Sequence, residues 1–347
     1  MNDTLIINKN QTILDALIKL SILKDVSRLI LFVEDDNKRT IGSLTDGDIR
    51  RSLIKSQNIN QVVSSICNYN FNYINSGYSF INFKEYRDKN LKILPVLDEN
   101  KKLVDIIDLA VIKSVLPLEC MIMAGGRGKR LSPFTDSVPK PMLPLGGIPI
   151  IEHNINRLIA YGIKKIYISV KYLGEQIEEY FGDGSSRGIS IQYVWEDKPL
   201  GTAGALSLVD KFESEHVLLM NSDLFTNIDF EDLYLSLIKS DAEMVIASSE
   251  YKVDIPFAVF ETKDNYIQDF KEKPTYVYHS NAGIYILNVD LIKEIPKKNY
   301  FDITDLMNKI INENRKLIYN SIRGYWIDIG KPEDYIYAQK FIKHLNK

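Results

Sequence analysis

Cysteine and histidine are scarce in this sequence, and neither is grouped. Cys67 and Cys120 stand far apart and without ligand spacing, which excludes a disulfide framework and a cysteine metal cluster and leaves two buried thiols of a reduced protein. There are four histidines; three lie outside every motif found below, and His279 merely precedes an Asn-Ala-Gly run. No Ser/His or Cys/His constellation is therefore present to generate a nucleophile. The net charge is only −3, with acids and bases mixed along the chain, so no polyanion-binding face and no nucleic-acid partner are expected. No apolar run reaches the roughly 18–20 residues that span a bilayer. The opening MNDTLIINKN lacks a basic segment followed by an apolar core, so it does not read as a signal peptide. A cytoplasmic protein with no membrane partner is the expectation.

What is present is ordinary globular composition, 45% hydrophobic and 26% charged, over 347 residues, a length that favours two domains. The first third contains an internal repeat. ILFVEDDNKRTIGSLTDGDI, from Ile30, lies over ILPVLDENKKLVDIIDLAVI, from Ile93; an offset of 63 pairs Val33 with Val96, Asp35 with Asp98 and Asn37 with Asn100. Each copy reads as strand, polar turn, strand and helix, and TILDALIKL upstream has helical apolar spacing. Two such units would bury their apolar faces against each other. This pattern resembles a tandem CBS (Bateman) domain over residues 1–114. The resemblance implies nucleotide contacts from Thr45 and Asp48 after Gly42, with an adenine nucleotide as ligand. In the second copy Asp105, Asp108 and Val111 stand at those places, so sensing and a purely packing or oligomerising role both stay open. CBS pairs associate through their helices, and a homo-oligomer is expected.

Pro117 interrupts the pattern, giving a linker at 115–118 and a second domain at 119–347. There CMIMA, KKIYISV, HVLLMNSD, AEMVIASS and AGIYILN read as buried strands separated by helices, one of them IIEHNINRLIAY stopped by Gly162. Strands apolar on both faces indicate an α/β fold with a Rossmann-like, mostly parallel sheet, preceded by the smaller α/β pair. The first strand runs into AGGRGKRLSPFTDSVPKPMLPLGG, from Ala124. It is neither a Walker A loop nor a dinucleotide G-x-G-x-x-G. Gly125, Gly126 and Gly128 would let backbone N–H groups approach phosphate oxygens, and a following helix N-terminus would add positive potential. Arg130 and Lys140 bring cations to the same loop.

The whole string resembles the signature of the sugar-1-phosphate nucleotidyltransferases, G-G-x-G-x-R-L-x-P-x-T followed by P-K-P-M. The resemblance implies that Arg130 grips the β/γ-phosphates and Lys140 the α-phosphate, with Arg127 at a variable, solvated place. It implies Mg²⁺ held by Asp223, at the end of VLLMNSD, and by Asp328 of YWIDIGKPEDY; Ser222 stands where the family commonly has glycine. WEDKPLGTAGAL, with Pro199, Gly201 and Thr202, would wall the nucleobase. Glu196, an acceptor only, suits the N1–H and amino group of guanine, so GTP is favoured. Lys273 would contact the sugar 1-phosphate, Glu272 a sugar hydroxyl, and Asn281 and Gly283 would line the pocket. Ala258 replaces a glycine near the sugar. The reaction implied is in-line attack of an already anionic sugar phosphate on the α-phosphorus of the NTP, releasing pyrophosphate with no general base. A CBS pair before such a transferase resembles the glucosamine-1-phosphate guanylyltransferases of bacterial legionaminic acid synthesis. Mannose or heptose 1-phosphate, a uridylyl donor, and an inactive nucleotide sensor stay open as alternatives.

Overall fold

The computed structural model describes residues 2–23, 29–77 and 80–345. The chain divides into two units, Met1–Val115 and Leu116–Lys347. In the first, strands Ile6–Asn8, Ile30–Glu34 and Thr40–Thr45 form one sheet, and helices Ile13–Ile22 and Asp46–Ser56 pack on it around Leu31, Val33, Leu44 and Ile49. A second sheet joins Ile74–Asn75, Ile93–Leu97 and Leu103–Asp108. The repeat is reproduced bond for bond at the hairpin turns. Asp35 Oδ1 accepts from the Asn37 and Arg39 amides at 2.9 Å each, and Asp98 Oδ1 accepts from the Asn100 and Lys102 amides at 2.9 and 2.8 Å. Lys38 and Lys101, 63 positions apart, share a left-handed φ of 63°. An aspartate closing its own turn is thus the physical content of the sequence match.

The repeat stops there. A helix was expected after the second strand of each copy, and only the first has it. After Asp108 the chain makes a tight turn, with Asp108 Oδ1 taking the Ala110 amide at 2.9 Å, and enters the short strand Ser114–Val115. Thr45 starts the helix of the first copy by a capping box with Asp48, and Asp108 and Val111 at the equivalent places cannot form one. Pro117 then leaves no length for another helix.

The second unit is built on a seven-stranded sheet. Its strands are β1 (Leu118–Met123), β2 (Lys165–Val170), β3 (Ser190–Trp195), β4 (His216–Asn221), β5 (Met244–Asp254), β6 (Thr275–Asn288) and β7 (Leu317–Ser321), in spatial order β3-β2-β1-β4-β6-β5-β7. β1 to β4 are mutually parallel; β6 runs antiparallel to both neighbours. Met121, Ile122, Val217, Leu218 and Leu219 are fully buried, as strands covered on both faces require. Helix α1 (Ile150–Ala160) follows, ended by Tyr161 and by Gly162 at φ 73°. β5 and β6 run on past the sheet as an exposed ribbon, which carries the hairpin Val259–Lys263/Tyr266–Lys271 between them.

At the opposite end of β1, Glu119 is 5% exposed and ties the 213–214 turn to the sheet. It accepts from the Ser214 amide at 2.8 Å, from the Glu213 amide, and from Lys165 Nζ at 3.0 Å. Burial pushes its carboxyl up, but these donors outweigh burial and hold it below the usual range. A lowered folded value means stability that is present above the unfolded value of about 4.3 and is lost as pH falls through the folded one. Glu119→Gln should therefore cost roughly 2–3 kcal/mol at pH 7. Urea melts should show the gap closing in acid; a gap of equal size at pH 7 and pH 3 would assign the loss to packing.

Candidate active site

Ligands of parallel sheets bind beyond the carboxyl ends of the strands, where the chain must turn and backbone groups point outward. Here the residues that follow β1 to β4 converge on one cavity of about 710 Å³. β1 delivers the glycine loop, β2 Lys171 and Tyr172, β3 Glu196, and β4 Ser222 and Asp223. Of the residues expected from sequence, Gly125, Gly126, Gly128, Arg130, Lys140, Glu196, Pro199, Gly201, Thr202 and Asp223 line it. Ala124 is buried behind the loop, its amide bonded to the Ser169 carbonyl at 2.9 Å.

Contrary to the expectation from its glycines, the loop leads into no α-helix. Pro133 follows a single 3-10 turn, Lys129–Leu131, so the loop brings no helix dipole of its own. What the loop offers instead is backbone: among the described residues, none accepts a hydrogen bond from the amides of Gly125, Gly126, Arg127 or Gly128. Gly128 is left-handed (φ 63°), and a Cβ there would sit 3.0 Å from Lys140 Cβ. Arg127 is exposed and lies over the Tyr172 ring, 5.4 Å from its centroid.

Lys140 is 9% exposed and forms an ion pair with Asp223 Oδ2. Asp223 Oδ1 is buried and has no hydrogen-bond partner among the described residues. An orphaned carboxylate oxygen is costly unless something positive meets it. Strand Leu224–Thr226 pairs antiparallel with Trp326–Asp328, register Leu224 to Asp328, which brings the second carboxylate alongside. Asp328 opens into an adjoining hollow of about 450 Å³ that shares Arg130 with the main cavity. Its carboxyl is raised, chiefly because surrounding protein strips away water and then because of the Asp223 charge, with Lys140 and Arg130 opposing. Two crowded carboxylates, one with a bare oxygen, fit a hard divalent cation that draws its remaining ligands from phosphate and water. The described residues hold no group of three or more His, Cys, Asp or Glu that could hold a metal by itself. Ser222 is absent from the positive-φ residues, so its backbone is unstrained with serine in place.

Glu196 is buried, not directed to solvent. Its Oε1 accepts from the Ser169 hydroxyl and its Oε2 from the Leu200 amide at 3.0 Å. Each oxygen retains one lone-pair direction. Gly125 must be glycine-small here, since a Cβ would lie 3.0 Å from Glu196 Oε1. Gly283 (φ 72°) packs against Asn221, and the Asn281 side chain accepts the Gly283 amide at 2.9 Å. Ala258, Glu272 and Lys273 are not brought into the cavity: Ala258 precedes the exposed hairpin, and Glu272 and Lys273 lie exposed where it rejoins β6. Lys171, Tyr172, Asn154 and Asp302 were missed. Lys171 directly follows a strand, a signal that could have found it. The buried Asn154, bonded to the Ser222 carbonyl at 3.3 Å, carried no such mark.

In the first unit, Thr45 and Asp48 bond to each other: Asp48 Oδ2 accepts from the Thr45 amide and hydroxyl at 2.9 and 2.6 Å, and Arg51 holds Oδ1.

The model of the nucleotidyl transferase family matches residues 119–344, and that of the CBS domain residues 1–55. Over 235 residues the chain is 34% identical to D-glycero-alpha-D-manno-heptose 1-phosphate guanylyltransferase of Aneurinibacillus thermoaerophilus, covering 65% of this chain and 99% of that one. It is 29% identical to mannose-1-phosphate guanylyltransferase of Mycobacterium tuberculosis, covering 63% of each. A candidate glucose-1-phosphate thymidylyltransferase structure from Bacillus anthracis superposes with a TM-score of 0.53 at 26% identity, covering 65% of this chain and 94% of that one. The chain belongs to the nucleotidyl transferase family and carries a CBS domain at its N-terminus.

Proposed function

We propose that this sugar-1-phosphate nucleotidyltransferase uses GTP and Mg²⁺ to convert a sugar 1-phosphate to a GDP-sugar and pyrophosphate. The observation that carries the reading is the meeting, in one cavity, of the unbonded 125–128 amides, Arg130, Lys140 and the bare Asp223 oxygen. The amides and Arg130 would hold the β- and γ-phosphates, and Lys140 would move from Asp223 toward the α-phosphate. Asp223 and Asp328 would hold the cation, which when bound spreads the charge building on the α-phosphoryl oxygens. Catalysis is then positioning and charge stabilisation, because the sugar phosphate is anionic at neutral pH and needs no base.

Guanine is supported by Glu196 and by the names of the heptose and mannose relatives. The remaining lone pairs of Glu196 can accept from N1–H and the amino group, with Pro199, Gly201 and Thr202 beside the base. Lys273, Glu272 and Ala258 would reach the sugar by movement of the exposed hairpin, with Asn281 and Gly283 nearer the cavity. Glucosamine 1-phosphate is the proposed acceptor, from the CBS pair preceding the transferase, and would place the product in surface-glycan or legionaminic acid synthesis. Heptose and mannose 1-phosphate are the alternatives. The units at 1–114 and 119–347 would act as regulatory pair and catalyst, with Thr45 and Asp48 meeting an adenine nucleotide.

Pyrophosphate release across four NTPs and a panel of sugar 1-phosphates tests this. GTP with glucosamine 1-phosphate should lead. Another leading pair corrects base or sugar, and no turnover in folded protein leaves a nucleotide sensor. Glu196→Gln tests the base separately. Its amide oxygen can keep the Leu200 N–H while its NH₂ meets Ser169, whose hydroxyl rotates to accept, so the variant should fold. GTP preference over UTP should drop about tenfold or more with the lost acceptor; retention of the full preference would remove Glu196 from base reading.

A further inference from the structure

Asp302 belongs to no sequence motif and lies 100 positions beyond Thr202, yet it lines the cavity beside it. Its Oδ1 accepts the Thr202 amide at 3.0 Å. Next to it, the Phe301 amide donates to the Leu200 carbonyl at 2.8 Å, and the Phe301 carbonyl accepts from Ala203 and Gly204 at 3.1 and 2.8 Å. The pair 301–302 thus clasps segment 200–204 from one side, while Glu196 holds the Leu200 amide from the other. The fit has no slack: a Cβ on Gly201 (φ 76°) would lie 2.8 Å from both Asp302 Oδ1 and the Phe301 carbonyl oxygen. In this clasp the Thr202 amide is the donor met by a side chain, so one substitution can release it while the backbone bonds remain.

We infer that Asp302 is a positioning residue for nucleotide selection, its carboxylate setting the Gly201–Thr202 backbone against the base of the NTP. This rests on the reading of 196–202 as the base wall. The same residue is the N-cap of the helix Ile303–Asn312, where its amide donates to Asp305 at 2.9 Å. The other carboxylate oxygen, Oδ2, accepts from the Tyr300 hydroxyl. Substitution separates the two roles. Serine is an equally good N-cap, but its single, shorter-armed oxygen cannot meet Thr202 and Tyr300 as the two carboxylate oxygens do, whereas asparagine keeps an acceptor for Thr202.

The experiment uses the full chain and measures KM for each NTP, KM for the sugar 1-phosphate, and hydrogen exchange of the 200–204 segment in nucleotide-free protein. In Asp302→Ser, KM for the preferred NTP should rise about tenfold and base preference should fall about fivefold or more, as expected for one lost hydrogen bond at a recognition surface. Exchange at Thr202 should speed by about tenfold or more, and KM for the sugar phosphate should stay within about twofold. Asp302→Asn should restore most of the loss. Wild-type base preference in folded Asp302→Ser overturns the proposal, and faster exchange with unchanged preference reduces Asp302 to a structural cap. Unchanged exchange at Thr202 removes the clasp and so overturns the proposal while leaving the base-wall reading in place, whereas a wild-type enzyme without base preference removes that reading and the proposal together. Should Asp302→Ser fail to fold, Asp302→Glu, which pushes the carboxylate out by one methylene, carries the same expectation for preference and the same refutation.

Discussion

Asp223→Asn should fold and lose turnover by on the order of a thousandfold, the loss expected when preorganised charge is removed from a phosphoryl-transfer site. The expectation follows from two oxygens with different partners. Oδ2 carries the Lys140 ion pair, and Oδ1 is buried with no hydrogen-bond partner among the described residues. An amide can point its oxygen to Lys140 or to a cation, but not a full charge to both. The cavity of about 710 Å³ is roomy enough for water to solvate Lys140 in the variant, which is why folding should survive. Binding of Mn²⁺ as a spectroscopic probe should weaken in parallel with turnover. Full Mn²⁺ affinity with lost turnover would move the metal elsewhere and leave Asp223 as the partner of Lys140.

Gly201→Ala should have the next largest effect, on stability and on NTP binding together. An alanine at φ 76° costs about 1–2 kcal/mol in backbone strain. Its methyl must also displace the Phe301 carbonyl and the Asp302 carboxylate, each 2.8 Å away. A total of roughly 2–3 kcal/mol lowers Tm by roughly 4–12 °C for a domain of this size. The groups displaced are those that hold the wall, so KM for NTP should rise by about tenfold or more while KM for the sugar phosphate changes little. A variant with wild-type Tm and KM would show that the 200–204 segment accommodates side chains and is no rigid wall.

Glu196 shows how far residue type carries a functional reading. That a carboxylate stands in WEDKPLGTAG is legible, and the structure puts it on the cavity wall. That both oxygens are already engaged, by Ser169 and by Leu200, is not legible, because Ser169 sits on another strand and becomes a neighbour only through the β2–β3 pairing. Lys140 and Asp223 were each expected near phosphate and metal. Their ion pair across 83 positions comes from folding. Ala258, Glu272 and Lys273 were expected at the sugar, yet they flank an exposed hairpin and stay outside the cavity.

Local chemistry was therefore readable from the sequence by itself: apolar runs long enough for buried strands, the polar turns at Asp35 and Asp98, the glycine loop, and the cations and carboxylates that gather at one cavity. These depend on neighbours a few positions away and on a fixed backbone period. The strand order β3-β2-β1-β4-β6-β5-β7, the bare Asp223 oxygen and the Asp302 clasp were decided only by tertiary structure. Each depends on which distant segments share a buried edge, and burial of both sheet faces selects that pairing over the whole chain at once.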